Sequence, residues 1–187
     1  MASIISSLTT SQIAGLDTSS IAGLTTADWA AFSSAQIAAL STGQIGAIAT
    51  SGIGAIATSA IVGFETADLA TLSTAQVRAF TTAGIEALGT TQIQSFTSNQ
   101  VAAFSTAQVR ALETADIVAL GSTDVAAMGT AQVQAFSTAQ IVALETAQVA
   151  NLSTAQVSAL ATAQLGALGT ADIVALGSAQ EIGRAHV

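Results

Sequence analysis

A period of eight residues runs without insertion or deletion from Leu8 to Leu176, and it constrains the fold of this 187-residue chain more than any other feature. Each octad is numbered from the residue after the apolar residue that closes the previous one. The stretch Leu72-Ser73-Thr74-Ala75-Gln76-Val77-Arg78-Ala79-Phe80 then shows the pattern. Position 8 is Leu, Ile, Phe or once Met128, and position 2 is Thr or Ser from Thr10 to Ser178. Position 5 is Ile, Val, Leu or once Trp29, position 4 is mostly Gln and sometimes Asp, and positions 3 and 7 are almost always small. Short fixed repeats stack as units, each contacting its neighbours, and do not gather around one globular core.

The period decides between strand and helix. In a strand, the apolar position 8 would share a face with Thr at 2 and Gln at 4, while position 5 would lie on the opposite face, so neither face would be apolar. Abundant Ala and Gln, few Asn and no regular Gly turn also weigh against strands, although a parallel β-solenoid stays open as the alternative. In a helix, positions 5 and 8 fall on one face, and Ala, Leu and Gln are good helix formers. One continuous helix fails, because eight residues advance by roughly 800° and the apolar stripe would drift about 80° per octad. A period of eight is not a coiled-coil period either. The helix must therefore break once per octad.

The residues mark the break. Ser73 reads as an N-cap and Gln76, three residues on, completes a capping box, with Leu72 and Val77 spaced as a hydrophobic staple. Phe104 to Val109 and Phe136 to Ile141 repeat this arrangement. Gly89, Gly121, Gly129, Gly169 and Gly177 at position 1 are expected to end the preceding helix in a left-handed conformation. Glu65, Glu113 and Glu145 at position 1, and Asp28, Asp68, Asp116, Asp124 and Asp172 at position 4, place negative charge at helix N-termini, where the dipole favours it. Helices this short are marginal alone, so stacked neighbours must bury positions 5 and 8. The small residues at 3 and 7, such as Ala75 and Ala79, are expected to let backbones approach. The expectation is an all-α compact solenoid of about 21 short helices, one per octad, over residues 1–180. Phe32, Phe64, Phe80 and Phe96, at multiples of 16, hint at two octads per turn.

Composition excludes several functions. Charged residues make up 7% of the chain, the net charge is −8, and the cations are Arg78, Arg110 and Arg184 with no Lys. That leaves no electrostatic footprint for nucleic acid or an anionic membrane. Mean hydropathy is high at +0.65, yet Thr or Ser interrupts every octad, so no membrane-spanning apolar run exists. Met1 to Ile5 lacks the basic and apolar regions of a signal peptide, and Ile5 and Leu8 are already in phase, as expected for a fragment of a longer array. There is no Cys.

No catalytic, cofactor or metal motif appears, and no enzyme activity is expected. Glu65 with Asp68 and Glu113 with Asp116 are i, i+3 carboxylate pairs, read as N-terminal charges on a solvated edge. Trp29 occupies a core slot, and Arg78 and Arg110 fall at the variable position 6, read as a solvated face. His186 lies in a segment where the phase has broken, at Glu181. That segment, residues 181–187, resembles the translation of a common short-read sequencing adapter and is expected to be a non-native tail.

Two further resemblances follow from these motifs. Leu72 to Phe80 is similar to the first helix of repeats in transcription-activator-like effectors, one octad at a time. That family's longer period, second helix and base-reading loop are missing here and the chain is acidic, so the helix start alone carries over. Over residues 8–180 the array resembles the Thr/Ala/Gln-rich octapeptide tracts of very long bacterial surface or secreted proteins. This resemblance implies an extracellular or cell-surface stalk, spacer or adhesin-like segment. Its partners would be neighbouring repeats or flanking domains of a longer chain, with end-to-end self-association through exposed ends. The alternative function is a binding surface for ice or a crystalline polymer, built from the regular Thr/Ser hydroxyls at position 2.

Overall fold

The structure, a computed structural model, describes residues 3–177. The expected tail at 181–187 lies outside the described residues. Among the described residues there are a short 3-10 helix, Ile5–Ser7, and 21 α-helices, and no strand. The α-helices run from α1 (Thr10–Ala14) and α2 (Thr18–Ala22) to α21 (Thr170–Ala175), one per octad. The all-α reading therefore holds and the β-solenoid does not.

Each helix occupies positions 2 to 7 at most, and two extended residues turn the corner. Between α8 (Thr66–Thr71) and α9 (Thr74–Ala79), Leu72 has φ −60° and ψ 138°, and Ser73 has φ −66° and ψ 155°. No described residue has positive φ. This corrects the expected left-handed glycines: Gly89, for example, is an extended N-cap at φ −74° and ψ 157°. Two extended residues turn the corner without left-handed geometry, so Ser, Thr, Glu, Asp, Ala and Gly can all stand at position 1.

The chain forms two compact units, Met1–Phe96 and Thr97–Val187. In the first, each helix packs on the one three further along, from α1 on α4 (Ser34–Ala38) to α8 on α11 (Thr90–Gln94). The second repeats this from α12 (Ser98–Val101) on α15 (Ser122–Ala127) to α18 (Thr146–Ala150) on α21. Within each unit a solenoid turn therefore takes more than two octads, and the phenylalanine spacing misleads. Phe side chains share the buried position 8 with Leu, Ile and Met, and Phe64 meets Phe80 edge-on at 5.7 Å.

Position 5 is the centre of the core. From Ile13 to Val157 its side chains are at most 1% exposed, and position 8 from Phe32 to Leu160 is buried beside it. Position 6 faces outward whatever it carries: Arg78 and Arg110 are exposed, and Val142 is 66% exposed. The two small positions behave differently. Position 7, as in Ala79 and Ala111, is half-buried, whereas position 3, as in Ala75 and Ala107, is exposed, and a Cβ added at Gly43 in that position would meet nothing within 4 Å. Turns approach closely at position 7 of one octad, where a Cβ added to Gly63 would collide with the Ser34 carbonyl.

Candidate functional site

The repeating site of this molecule is the side chain at position 4. Its local role is the one its spacing implies. Gln76 Oε1 accepts from the Ser73 backbone N–H at 2.8 Å and from its hydroxyl at 2.9 Å, while Ser73 Oγ accepts from the Gln76 N–H at 3.3 Å. This capping box satisfies donors at the helix N-terminus that have no partner within the helix. The same pair forms at Ser33 and Gln36, Ser137 and Gln140, and Ser153 and Gln156.

The other end of the amide does something the spacing does not show. Gln76 Nε2 donates to the carbonyls of Ile45 at 3.2 Å and Ile48 at 2.9 Å, positions 5 and 8 of the octad four back. Gln36 reaches Ile5 and Leu8, both at 2.8 Å, and Gln44 reaches Ile13 at 3.1 Å and Leu16 at 2.7 Å. In the second unit five consecutive octads repeat the contact. Gln132 bonds Val101 and Phe104, Gln140 bonds Val109 and Leu112, and Gln148 bonds Ile117 and Leu120. Gln156 bonds Val125 and Met128, and Gln164 bonds Val133 and Phe136. Helices pack three octads apart and glutamines reach four octads back, so within a unit a turn closes between three and four octads.

Each such glutamine therefore joins the N-terminus of its own helix to the carbonyls ending a helix in the turn before. The position-5 carbonyl already accepts from the position-8 N–H of its own octad, as Ile45 does from Ile48 at 3.2 Å, and the glutamine adds a second donor. The position-8 carbonyl lies beyond the end of its helix, and leaving it buried and unpaired would cost about 1–3 kcal/mol. These side chains are themselves buried, Gln148 being 1% exposed, so both ends of the amide must be satisfied.

Aspartate at position 4 makes a different contact. It cannot donate, and in two octads it accepts from a position-2 hydroxyl 26 residues earlier: Ser98 Oγ to Asp124 at 2.6 Å and Thr146 Oγ1 to Asp172 at 2.9 Å. The carboxylate pairs do not sit on a solvated edge as expected. Glu65 and Glu113 are exposed, but Asp68 and Asp116 are 2% and 3% exposed, because position 4 points between turns. Burial pushes the Asp68 carboxyl above its ordinary range, opposed by the Glu65 backbone N–H and reinforced by the Glu65 charge. Asp17, exposed, and Asp28, half-buried, both in the first turn, are held low instead. The Ser20 N–H does this for Asp17, and the Thr25 hydroxyl for Asp28.

Trp29 fills the core slot assigned to it, fully buried and stacked on Phe32 at 4.6 Å between ring centroids. Its size has a counterpart three octads on. Gly52 holds position 4, where a Cβ would meet the Trp29 Cδ1 and Nε1 atoms at 2.6 Å. The indole N–H is buried with no hydrogen-bond partner, since a slot built for aliphatic side chains offers no acceptor. Among the described residues no three His, Cys, Asp or Glu side chains converge on one point, and no helix is long and apolar enough to cross a membrane.

The octad phrase itself decides the family. The ALTTAQ repeat model matches residues 21–58, 61–98, 96–130, 117–154 and 151–181. The chain belongs to the ALTTAQ repeat family. In structural terms that phrase is the corner and the first helical turn, as in Ala159-Leu160-Ala161-Thr162-Ala163-Gln164. Its final Gln is the residue that caps one helix and ties down an earlier one. No curated protein matches the chain.

Proposed function

We propose that this ALTTAQ repeat tract is a mechanical module: a stiff spacer or stalk of a bacterial surface or secreted protein, holding flanking parts of a longer chain apart. The observation that carries this reading is the glutamine ladder. In the second unit five consecutive octads, from Gln132 to Gln164, are tied to the turn before by the same pair of buried hydrogen bonds, and the outward position 6 varies freely. A chain that repeats its internal fastening and varies its surface is suited to length and stiffness, while a site for one small ligand needs some octad to differ from the rest. The extracellular, bacterial setting rests on the compositional resemblance to octapeptide tracts.

Small-angle scattering tests the spacer. Tandem duplication of residues 97–160 should raise the maximum dimension by a constant increment per added octad, where a collapsed globule would grow only with the cube root of length. Recovery of the full-length gene, followed by fractionation of the cells that carry it, tests the location; a wholly cytosolic product would end the surface reading.

One observation favours a second reading. Position-2 hydroxyls such as Thr74, Thr106 and Thr138 stand exposed at every turn of their unit. A regular hydroxyl array of this kind fits ice or an insoluble glycan, and thermal hysteresis or co-sedimentation that disappears on replacing these Thr with Val would support it.

A further inference from the structure

We propose that residues 49–63 form a release segment, in which α6 (Thr50–Ala55) and α7 (Thr58–Ile61) open together while the turns on either side stay closed. The opening itself does not depend on the spacer reading. No glutamine fastens α6 to either neighbouring turn. Its own position 4 is Gly52, which has no amide to offer the carbonyls of Ile21 and Leu24, and these stand 31 and 28 residues back as Ile45 and Ile48 do from Gln76. A glutamine at residue 84 would hold Ile53 and Ile56 in the same way, and Gly84 stands there. α7 carries Ala60 at position 4 and lacks a donor too. Both helices start without a side-chain cap, at Ala49 and Ala57. Gly52 and Gly54 also fall inside α6, and glycine loses more chain entropy on entering a helix than any other residue.

The segment has fixed ends. Before it, Gln76 holds the Ile48 carbonyl at 2.9 Å, and after it Gln92 holds the Phe64 carbonyl at 2.7 Å. On the near side, α4 is fastened through Gln36 and α5 (Thr42–Gly46) through Gln44, both to residues outside the segment. Ser33 and Ser41 cap these two helices. Inside the segment the closed state also carries an unpaired group. α6 packs on α3 (Thr26–Trp29), and the Trp29 indole N–H, buried against Gly52, has no hydrogen-bond partner. Withdrawing α6 admits water to that N–H, so opening recovers a bond that the closed state forgoes. Missing amides, missing caps and an unpaired indole thus fall on one stretch, between two clamps. Residues 49–63, fully extended, span about 50 Å. In a spacer this slack would lengthen the array without unfolding the turns beyond the clamps, a consequence that does rest on the spacer reading.

Hydrogen exchange of the full chain tests this, because amide protection reports local opening. Peptides from α6 and α7 should exchange at least about tenfold faster than those from α5 before them and α9 after them. Acrylamide quenching of Trp29, the only tryptophan, should rise at denaturant concentrations that leave most of the helical circular dichroism in place. Gly84→Gln supplies the amide for Ile53 and Ile56 and should slow exchange in α6 about tenfold. Gly84→Glu has the same length and a similar helix preference without the donor, and should leave α6 fast. Should Gly84→Gln fail to fold by circular dichroism, Ala49→Ser takes over the test. It restores only the cap, at an exposed corner, and should slow α6 about fivefold. Equal protection across α5, α6 and α9 overturns the proposal. So does protection that rises smoothly from α1 to α9, which is fraying and not a local segment. Equal slowing by Gly84→Gln and Gly84→Glu overturns it too, since the amide would then not be what α6 lacks. A Trp29 that stays unquenched until the helices melt has the same force. The spacer reading fails separately, in the scattering of duplicated residues 97–160.

Discussion

At the scale of single residues, position 4 carries the most physics, because its side chain is buried between turns and must answer two sets of backbone groups. Gln140 accepts from the Ser137 N–H at 2.8 Å and donates to Val109 and Leu112. Gln140→Glu would keep the acceptor, strip both donors and bury a charge against carbonyls. A loss of about 3 kcal/mol or more in denaturant unfolding is expected, and a loss below about 1 kcal/mol would show that the ladder contributes little. Asp68 is the natural counterpart. Burial raises its carboxyl pKa in the folded chain above the ordinary 3.8, so the folded state holds the proton more tightly than the unfolded state. Its contribution is therefore most favourable below the unfolded value and is lost as pH rises through the folded one. Asp68→Asn should raise the melting temperature relative to wild type near neutral pH, and the difference should vanish below the unfolded value. A difference that does not change with pH would refute the assignment.

At the scale of the helix, an octad is too short to be stable alone, and its neighbours in space decide what it can carry. Trp29 on α3 (Thr26–Trp29) and Gly52 on α6 (Thr50–Ala55) belong to packed helices and have divided one volume between them. Gly52→Gln alone should destabilise by about 1–3 kcal/mol through overpacking. With Trp29→Ile the slot reopens, and the glutamine regains the ladder position, so the double-mutant cycle should show a coupling of about 1 kcal/mol or more. Strict additivity would mean the two residues do not share the space. The neighbouring octads show a related weakness: α6 and α7 (Thr58–Ile61) begin at Ala49 and Ala57 with no side-chain cap, and carry Gly52 and Ala60 at position 4.

At the scale of the whole molecule, the ladder sets a minimum size. The first cross-turn bonds are made by Gln36, in the fifth octad, so a chain of about four octads has helices but no second turn to fasten them. Such a chain should be unfolded by circular dichroism. Cooperative unfolding should appear once about two turns are present, and the denaturant midpoint should rise with octad number before levelling off. A fully helical, cooperatively melting four-octad chain would break the stacking argument.

The sequence alone determined the repeating unit: its length, the helix at positions 2 to 7, the capping box, the inward positions 5 and 8 and the outward position 6. All of these are local, and an eight-residue period displays them directly. One further signal stood in the residues. A capping box accepts Glu as readily as Gln, and the helix dipole favours Glu, yet position 4 is Gln through most of the chain while Glu appears at position 1. That choice points to a use for the amide N–H. What the N–H reaches, only the tertiary structure decided, along with the turn of three to four octads, the burial of Asp68 and Asp116, and the pairing of Trp29 with Gly52. The reason lies in the periodicity itself. When every octad looks alike, stacking two, three or four octads apart brings the same residue types together, and the pattern cannot distinguish these registers. The angle at the two-residue corner and the packing of side chains between turns select one.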